Sequence, residues 1–146
     1  MLPTAKLLKK LNKFKTGDVD SLLVEAFESA KAEIIKLNTI EQLFKKGVDN
    51  ENKAIEPAYT PTTVSIKKSK GQPTNRVTLK DTGDFYKATD IDFTVKDFTI
   101  INFDIKYEKL AEKYGDEILG LTKESQTVLK NLIIKKLSIK FNKLLK

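Results

Sequence analysis

The tripeptide with the clearest chemical potential in this chain is Asp81-Thr82-Gly83. Two carboxylates from such loops, facing each other across a dimer axis, share one proton and activate water for peptide hydrolysis. A chain with one copy would supply the second by self-association, and Ile118-Leu119-Gly120 matches the apolar-apolar-Gly segment that enzymes of this kind carry downstream. The neighbouring residues oppose that chemistry. Lys80 places an ammonium before the Asp, and Asp84 places a second carboxylate after the Gly, where apolar and small residues are wanted. The same residues serve better as a helix entry. An oxygen of Asp81 or Thr82 would meet a backbone N–H two or three residues on, and a short helix would begin at Gly83-Asp84-Phe85-Tyr86 with Phe85 buried and Tyr86 half-buried.

Other chemistries fail on residue type or spacing. The chain has no His and no Cys, which removes His-activated nucleophiles, thiolate metal sites and disulfides. Counted as a calcium loop from Asp49, the fifth position is Lys53, the sixth Ala54 and the twelfth Thr60, so the ligands are missing and a plain turn is expected. Gly71-Gln72-Pro73 lacks the second Gly and the Lys-Ser/Thr of a phosphate loop. Glu108 and Glu112 have the spacing of a solvated helix face, with Asp116 and Glu117 beside them. No catalytic residue, metal or cofactor is expected.

The 146 residues, 40% hydrophobic and 32% charged, suit one domain with a single core. No apolar run approaches the ~18 residues of a membrane span. The formal net charge is +7 with Arg76 the single arginine, and the charge is segregated. Residues 1–15 and 61–80 hold basic side chains without an acid, and residues 123–146 hold seven Lys against Glu124, so the remainder is acidic. Lysines grip phosphates in a salt-dependent, sequence-blind way, solvate helix faces, or dock basic ends on the acidic middle of a neighbour. One arginine cannot supply the guanine forks of specific DNA readout. The segment 1–15, with Leu7, Leu8, Leu11 and Phe14 among lysines, reads as a basic N-terminal arm ahead of a domain spanning 16–146. Lys9, Lys10, Lys135, Lys136 and Lys140 are the candidates for docking on a neighbouring protein.

The elements that must position these residues follow from periodicity. Leu23, Phe27, Ala30, Ile34, Leu37, Ile40 and Phe44 step by three and four, predicting one continuous helix capped near Asp18 and ended by Gly47. Thr39 and Gln42 have capping-box spacing, which marks a break near Asn38 as an alternative. Residues 48–80 read as an extended, turn-rich loop with one helical turn over 62–68 after Pro61. Residues 89–95 and 99–105 alternate as a β-hairpin, with Ile101, Phe103 and Ile105 on one face. A helix over 107–114 stops at Gly115. Thr122 caps a last helix reaching Leu144, striped by Leu129, Ile133, Leu137, Phe141 and Leu144, with a terminal strand as the lesser alternative. The fold class is α+β: a long N-terminal helix, an extended loop, a β-hairpin or small antiparallel sheet, and C-terminal helices.

The order of these residues resembles a known group. Lys46-Gly47-Val48-Asp49, then Ile55-Glu56-Pro57-Ala58-Tyr59-Thr60-Pro61, the basic Lys67-Lys68-Ser69-Lys70-Gly71, and Val77-Thr78-Leu79-Lys80-Asp81-Thr82-Gly83-Asp84-Phe85-Tyr86 are similar to the tail-completion and head–tail connector proteins of tailed bacteriophages. Glu112-Lys113-Tyr114-Gly115 and Ile118-Leu119-Gly120-Leu121-Thr122 extend the likeness over residues 40–125. The Lys-rich, Arg-poor composition suits an AT-rich genome such as that of a crAss-like phage. The resemblance implies a non-enzymatic virion structural protein at the head–tail junction or tail, assembled in the host cytoplasm. It implies a homo-oligomeric ring of twelve copies against a portal or six on a tail tube, contacts to portal, connector or tail proteins, and passage of DNA without specific recognition. It also implies that Tyr59, Thr60, Asp81, Thr82, Gly83, Phe85, Tyr86, Tyr114 and Gly115 form a structural motif. The basic arm and basic last helix fall outside that pattern. A sequence-nonspecific nucleic-acid-binding protein is the alternative.

Overall fold

Three helical segments follow one another without a loop: α1 (Thr16–Ser29), α2 (Lys31–Lys36) and a π-helix (Leu37–Lys46). The computed structural model describes Lys9, Asn12 and residues 16–95 and 97–146, so the amphipathic stripe of the basic arm lies outside the described residues, as does Lys10. The expectation of one continuous α-helix is corrected at two points. At Ala30 (φ −96°, ψ 5°) the N–H is shared between the carbonyls of Ala26 at 3.2 Å and Phe27 at 3.0 Å, which bends the rod. From Leu37 the ladder widens to the i→i+5 bonding of a π-helix. The wider turn carries the predicted stripe off the core. Leu37, Ile40 and Phe44 are only partly buried, whereas Asn38, Thr39, Gln42 and Leu43 are buried.

No break occurs at Asn38. Thr39 Oγ1 donates to the Ile35 carbonyl at 2.8 Å, and the Gln42 side chain faces a distant segment, so the pair is not a capping box. At the start, the helix already runs from Thr16, with Asp18 in its first turn. Gly47 ends the rod in the left-handed region (φ +64°), where a Cβ would lie 2.7 Å from Arg76 Cβ.

Beyond Gly47, Asp49 Oδ1 accepts the N–H groups of Glu51 and Lys53 at 2.9 Å each, making the plain turn. The long loop then holds more helix than one turn: α3 (Pro61–Ser69) has nine residues, Pro61 in its first turn, and the Thr60 hydroxyl accepting the Thr63 N–H at 3.3 Å. After α4 (Asp84–Lys87), β1 (Thr89–Phe93) and β2 (Phe98–Asn102) pair antiparallel, with Thr89 opposite Asn102, Ile91 opposite Ile100 and Phe93 opposite Phe98. The strands are shorter than expected, and the inward residues of β2 are Phe98, Ile100 and Asn102. Asn102 Nδ2 donates to the Phe85 carbonyl at 2.8 Å and to Thr89 Oγ1 at 3.0 Å. Turning that amide inward sends Ile101 and Phe103 to the other face, because strand residues alternate.

The chain continues through α5 (Tyr107–Tyr114), which stops at Gly115, a 3₁₀ turn (Asp116–Ile118), and α6 (Lys123–Leu145). The Thr122 hydroxyl caps α6 by accepting the Ser125 N–H at 3.1 Å. Leu129 and Ile133 are buried and Leu137 and Phe141 partly so, but Leu144 is exposed rather than part of the stripe. The terminal strand is not formed. The architecture is α+β, with α1 packed on α6 and on β1.

The connector between the 3₁₀ turn and α6 has no secondary structure to satisfy its buried backbone. Side-chain amides do so instead. Asn38 Nδ2 donates to the carbonyls of Ile118 at 3.1 Å and Gly120 at 3.0 Å, and Gln42 Nε2 donates to Gly120 at 2.9 Å. Gln42 Oε1 accepts the Thr122 N–H at 2.9 Å, and Asn50 Nδ2 donates to the Leu119 carbonyl at 3.1 Å. Gln42→Ala leaves a buried N–H and opens a void, and is expected to destabilise the fold by about 2–4 kcal/mol in urea unfolding.

Candidate functional site

Thr78 is held on both sides by tyrosines. Its N–H donates to the Tyr59 hydroxyl at 2.9 Å, and its carbonyl accepts the Tyr86 hydroxyl at 2.6 Å. Thr78 Oγ1 then accepts the Lys80 N–H at 3.3 Å, which spans the intervening Leu79. Leu79 has φ +56°, a left-handed conformation that costs a non-glycine residue about 1–3 kcal/mol and persists where its neighbours over-determine it. The two tyrosines and the threonine provide that constraint.

Around this clamp Lys67, Arg76 and Lys80 of the basic 61–80 segment turn inward, while Lys68 and Lys70 are exposed. Lys67 is buried, with its ammonium on the Lys80 carbonyl at 2.9 Å and Gln72 Oε1 at 3.2 Å, and 4.9 Å from the centre of the Tyr59 ring. Lys80 lies over the Phe44 ring at 4.8 Å, and Arg76 Nε donates to the Phe44 carbonyl at 2.7 Å. Lys70 Nζ meets Asp81 Oδ1 at 2.7 Å, and Gln72 Nε2 donates to the Asp81 carbonyl at 2.9 Å. The hydrogen bond from Lys70 is the main reason the Asp81 carboxyl sits below its ordinary range. A carboxylate held in its charged form by an ammonium is poorly suited to sharing a proton.

The helix entry has the expected form with one adjustment. Thr82 Oγ1 accepts the Asp84 N–H at 3.3 Å, two residues on, while Gly83 itself occupies the cap position at φ +92°, so α4 starts at Asp84. Phe85 is buried and Tyr86 half-buried. Tyr59, Asp81, Thr82, Gly83, Phe85 and Tyr114 line a single cleft of about 210 Å³, closed on its far side by Leu110 and Lys106 of the α5 region. Tyr86 joins this group through Thr78, whereas Thr60 caps α3 and Gly115 ends α5. Lys67, Gln72 and Thr78, which tie the cleft together, have no motif spacing that marks them in the sequence.

A larger concavity lies elsewhere. An apolar groove of about 700 Å³ runs between α1, the start of β2 and α6, lined by Phe27, Phe98, Ile100, Leu129, Ile133 and Ile134 among others. Of the candidate docking lysines, Lys9 is exposed and Lys135 is exposed on α6. Lys140 pairs with Glu25 of α1 at 2.6 Å, and Lys136 Nζ reaches the Ser29 carbonyl at 3.5 Å, so both face their own chain. Among the described residues no group of three or more Asp and Glu could hold a metal ion, and no helix is long and apolar enough to cross a membrane.

Comparison with family models, curated proteins and solved structures finds no match to this chain.

Burial pushes the Tyr86 phenol well above the ordinary tyrosine value, with Tyr59 adding to the shift. A raised folded-state value stabilises the fold fully below pH ~10 and less as pH rises beyond it, because the unfolded chain ionises first. The melting temperature is therefore expected to fall between pH 10 and 11. Tyr86→Phe should flatten that fall while losing about 1 kcal/mol at neutral pH with the hydrogen bond to Thr78; thermal unfolding against pH checks both.

Proposed function

We propose that this chain is a non-enzymatic virion structural protein, one subunit of a head–tail connector or tail ring in a tailed bacteriophage. The observation that carries this reading is the fate of the residues behind the resemblance. Tyr59, Asp81, Thr82, Gly83, Phe85 and Tyr114 of the structural motif line one cleft. Their polar groups are engaged in holding the fold: Thr82 on the Asp84 N–H, Asp81 on Lys70, and Tyr59 and Tyr86 on the backbone of Thr78. Such a motif braces the 48–83 segment against α5, which suits a part that transmits load between neighbours. In a ring, one heterologous contact repeats around a closed cycle and leaves no free edge.

A nucleic-acid-binding role would draw on the exposed Lys130, Lys135 and Lys143 of α6. The 61–80 segment contributes less to it than its charge suggests, since Lys67, Lys70, Arg76 and Lys80 are engaged with their own chain. Duplex binding at 150 mM salt is expected to be weaker than the ~10⁻⁴–10⁻⁶ M of non-specific binders. Electron cryomicroscopy of virions that carry this chain tests the main reading: ring density at the head–tail junction or tail that fits the fold is expected. Absence of the chain from purified particles would overturn it.

A further inference from the structure

The two strands of the hairpin differ in how their outer edges are met. The Phe103 N–H donates to the Ala88 carbonyl at 3.0 Å and the Thr94 N–H to the Asp97 carbonyl at 2.8 Å, one bond at each end of the ladder. Asp90 lies opposite Ile101 and Asp92 opposite Thr99. Antiparallel ladders alternate hydrogen-bonded and non-hydrogen-bonded pairs. Counting inward from the two end bonds, Thr99 and Ile101 bond to β1, whereas Phe98, Ile100 and Asn102 turn their backbone groups to the far side. Asp97 Oδ1 accepts the Phe98 N–H at 2.7 Å. Among the described residues nothing meets the N–H groups of Ile100 and Asn102 or the carbonyls of Phe98, Ile100 and Asn102. β1, by contrast, packs against α1 and α2.

The apolar groove of about 700 Å³ opens on this free edge. Asp97, Phe98, Thr99 and Ile100 line it in succession. Phe98 and Ile100 point inward and Thr99 outward, so their shared lining places the groove along the edge of the strand. The wall across from β2 is α6, with Leu129, Ile133 and Ile134. Asp97 and Lys130 balance in charge, which leaves backbone pairing and apolar fit to select an occupant.

A row of unpaired backbone groups beside an apolar trough is complementary to an extended chain. The N–H and C=O groups of such a chain continue the ladder at the ~4.8 Å spacing of strands, and its alternate side chains enter the groove. A helix satisfies its backbone internally and offers nothing to such an edge. The basic arm is a poor donor, because Leu7, Leu8, Leu11 and Phe14 have helical rather than alternating spacing. We infer that β2 takes a third strand from another protein, an extended segment with apolar residues at alternate positions, which fills the groove between β2 and α6. A lone hairpin has much to gain from this addition, since sheets approach independent stability at three strands. The inference does not depend on the ring reading: it assigns a surface and the chemistry of its partner.

The test pans the full chain against a displayed library of random nine-residue peptides and follows the leading synthetic peptide by NMR and amide hydrogen exchange. Enriched sequences with apolar residues at i, i+2 and i+4 are expected, and the leading peptide should slow exchange of the Ile100 and Asn102 amides about tenfold or more. Ile134 is 52% exposed, so Ile134→Asp spares the core while placing a charge in the groove. That variant, and N-methylation of the peptide groups facing β2, should each weaken binding about tenfold or more. No enrichment, enrichment at the helical spacing i, i+3 and i+4, or an affinity that survives either change would overturn the inference. Slowed exchange at Ile100 and Asn102 as the chain alone is concentrated would also overturn it, by making a second copy the occupant.

Discussion

Everything in this fold depends on three side-chain amides that satisfy the backbone of one connector. Asn38, Gln42 and Asn50 together hold the carbonyls of Ile118, Leu119 and Gly120 and the N–H of Thr122. The Asn50 N–H adds a backbone bond to the Glu117 carbonyl at 2.8 Å. A connector left without these partners would bury polar groups at a loss of about 1–3 kcal/mol each. The arrangement also accounts for the shape of the rod. Asn38-Thr39 and Gln42-Leu43 are buried pairs of neighbours, an interval that a turn wider than 3.6 residues brings to one face. Asn38 uses both amide hydrogens on the connector, and its Oδ1 is the buried side-chain oxygen without a partner among the described residues.

The second organising region repeats the theme with different chemistry. Here lysine and arginine side chains, which a count of charges assigns to solvent, turn onto carbonyls and aromatic rings. Lys80 on Phe44 and Arg76 on the Phe44 carbonyl fasten the 61–80 segment to the end of the rod, and Lys67 on Tyr59 ties it to the loop before α3. Their aliphatic stems supply apolar area while their charged ends find oxygen or a π-face. The clamp at Thr78 and the helix entry at Thr82 are consequently well anchored, and the two walls of the cleft keep their spacing.

Local signals were legible in the sequence, and long-range polar ones were not. The cap at Thr122, the stops at Gly47 and Gly115 and the entry at Thr82 all follow from contacts within about four residues, and the hairpin from alternation on either side of one turn. The π-helix was missed because its cause, the connector at 118–122, lies some 80 positions away in the chain. Period counting over 23–44 saw only apolar steps and was blind to Asn38 and Gln42. Alternation put Ile101 and Phe103 on one face but could not say which one: that it is the outer face goes with the inward Asn102 amide on Phe85 and Thr89. In the cleft, the residues of the motif were identifiable, but Lys67, Gln72 and Thr78 were not, since nothing in a basic stretch distinguishes a buried lysine from a solvated one.

Native-state amide hydrogen exchange measures the central constraint directly. If the amide clamp holds rod and connector as one cooperative unit, the Thr122 N–H on Gln42 and the Asn50 N–H on Glu117 exchange only with global unfolding, at the free energy of core amides such as Ile91 and Ile133. Exchange of Thr122 and Asn50 at the rate of exposed turn amides, while Ile91 and Ile133 stay protected, would show that the connector opens alone and that the clamp does not organise the fold.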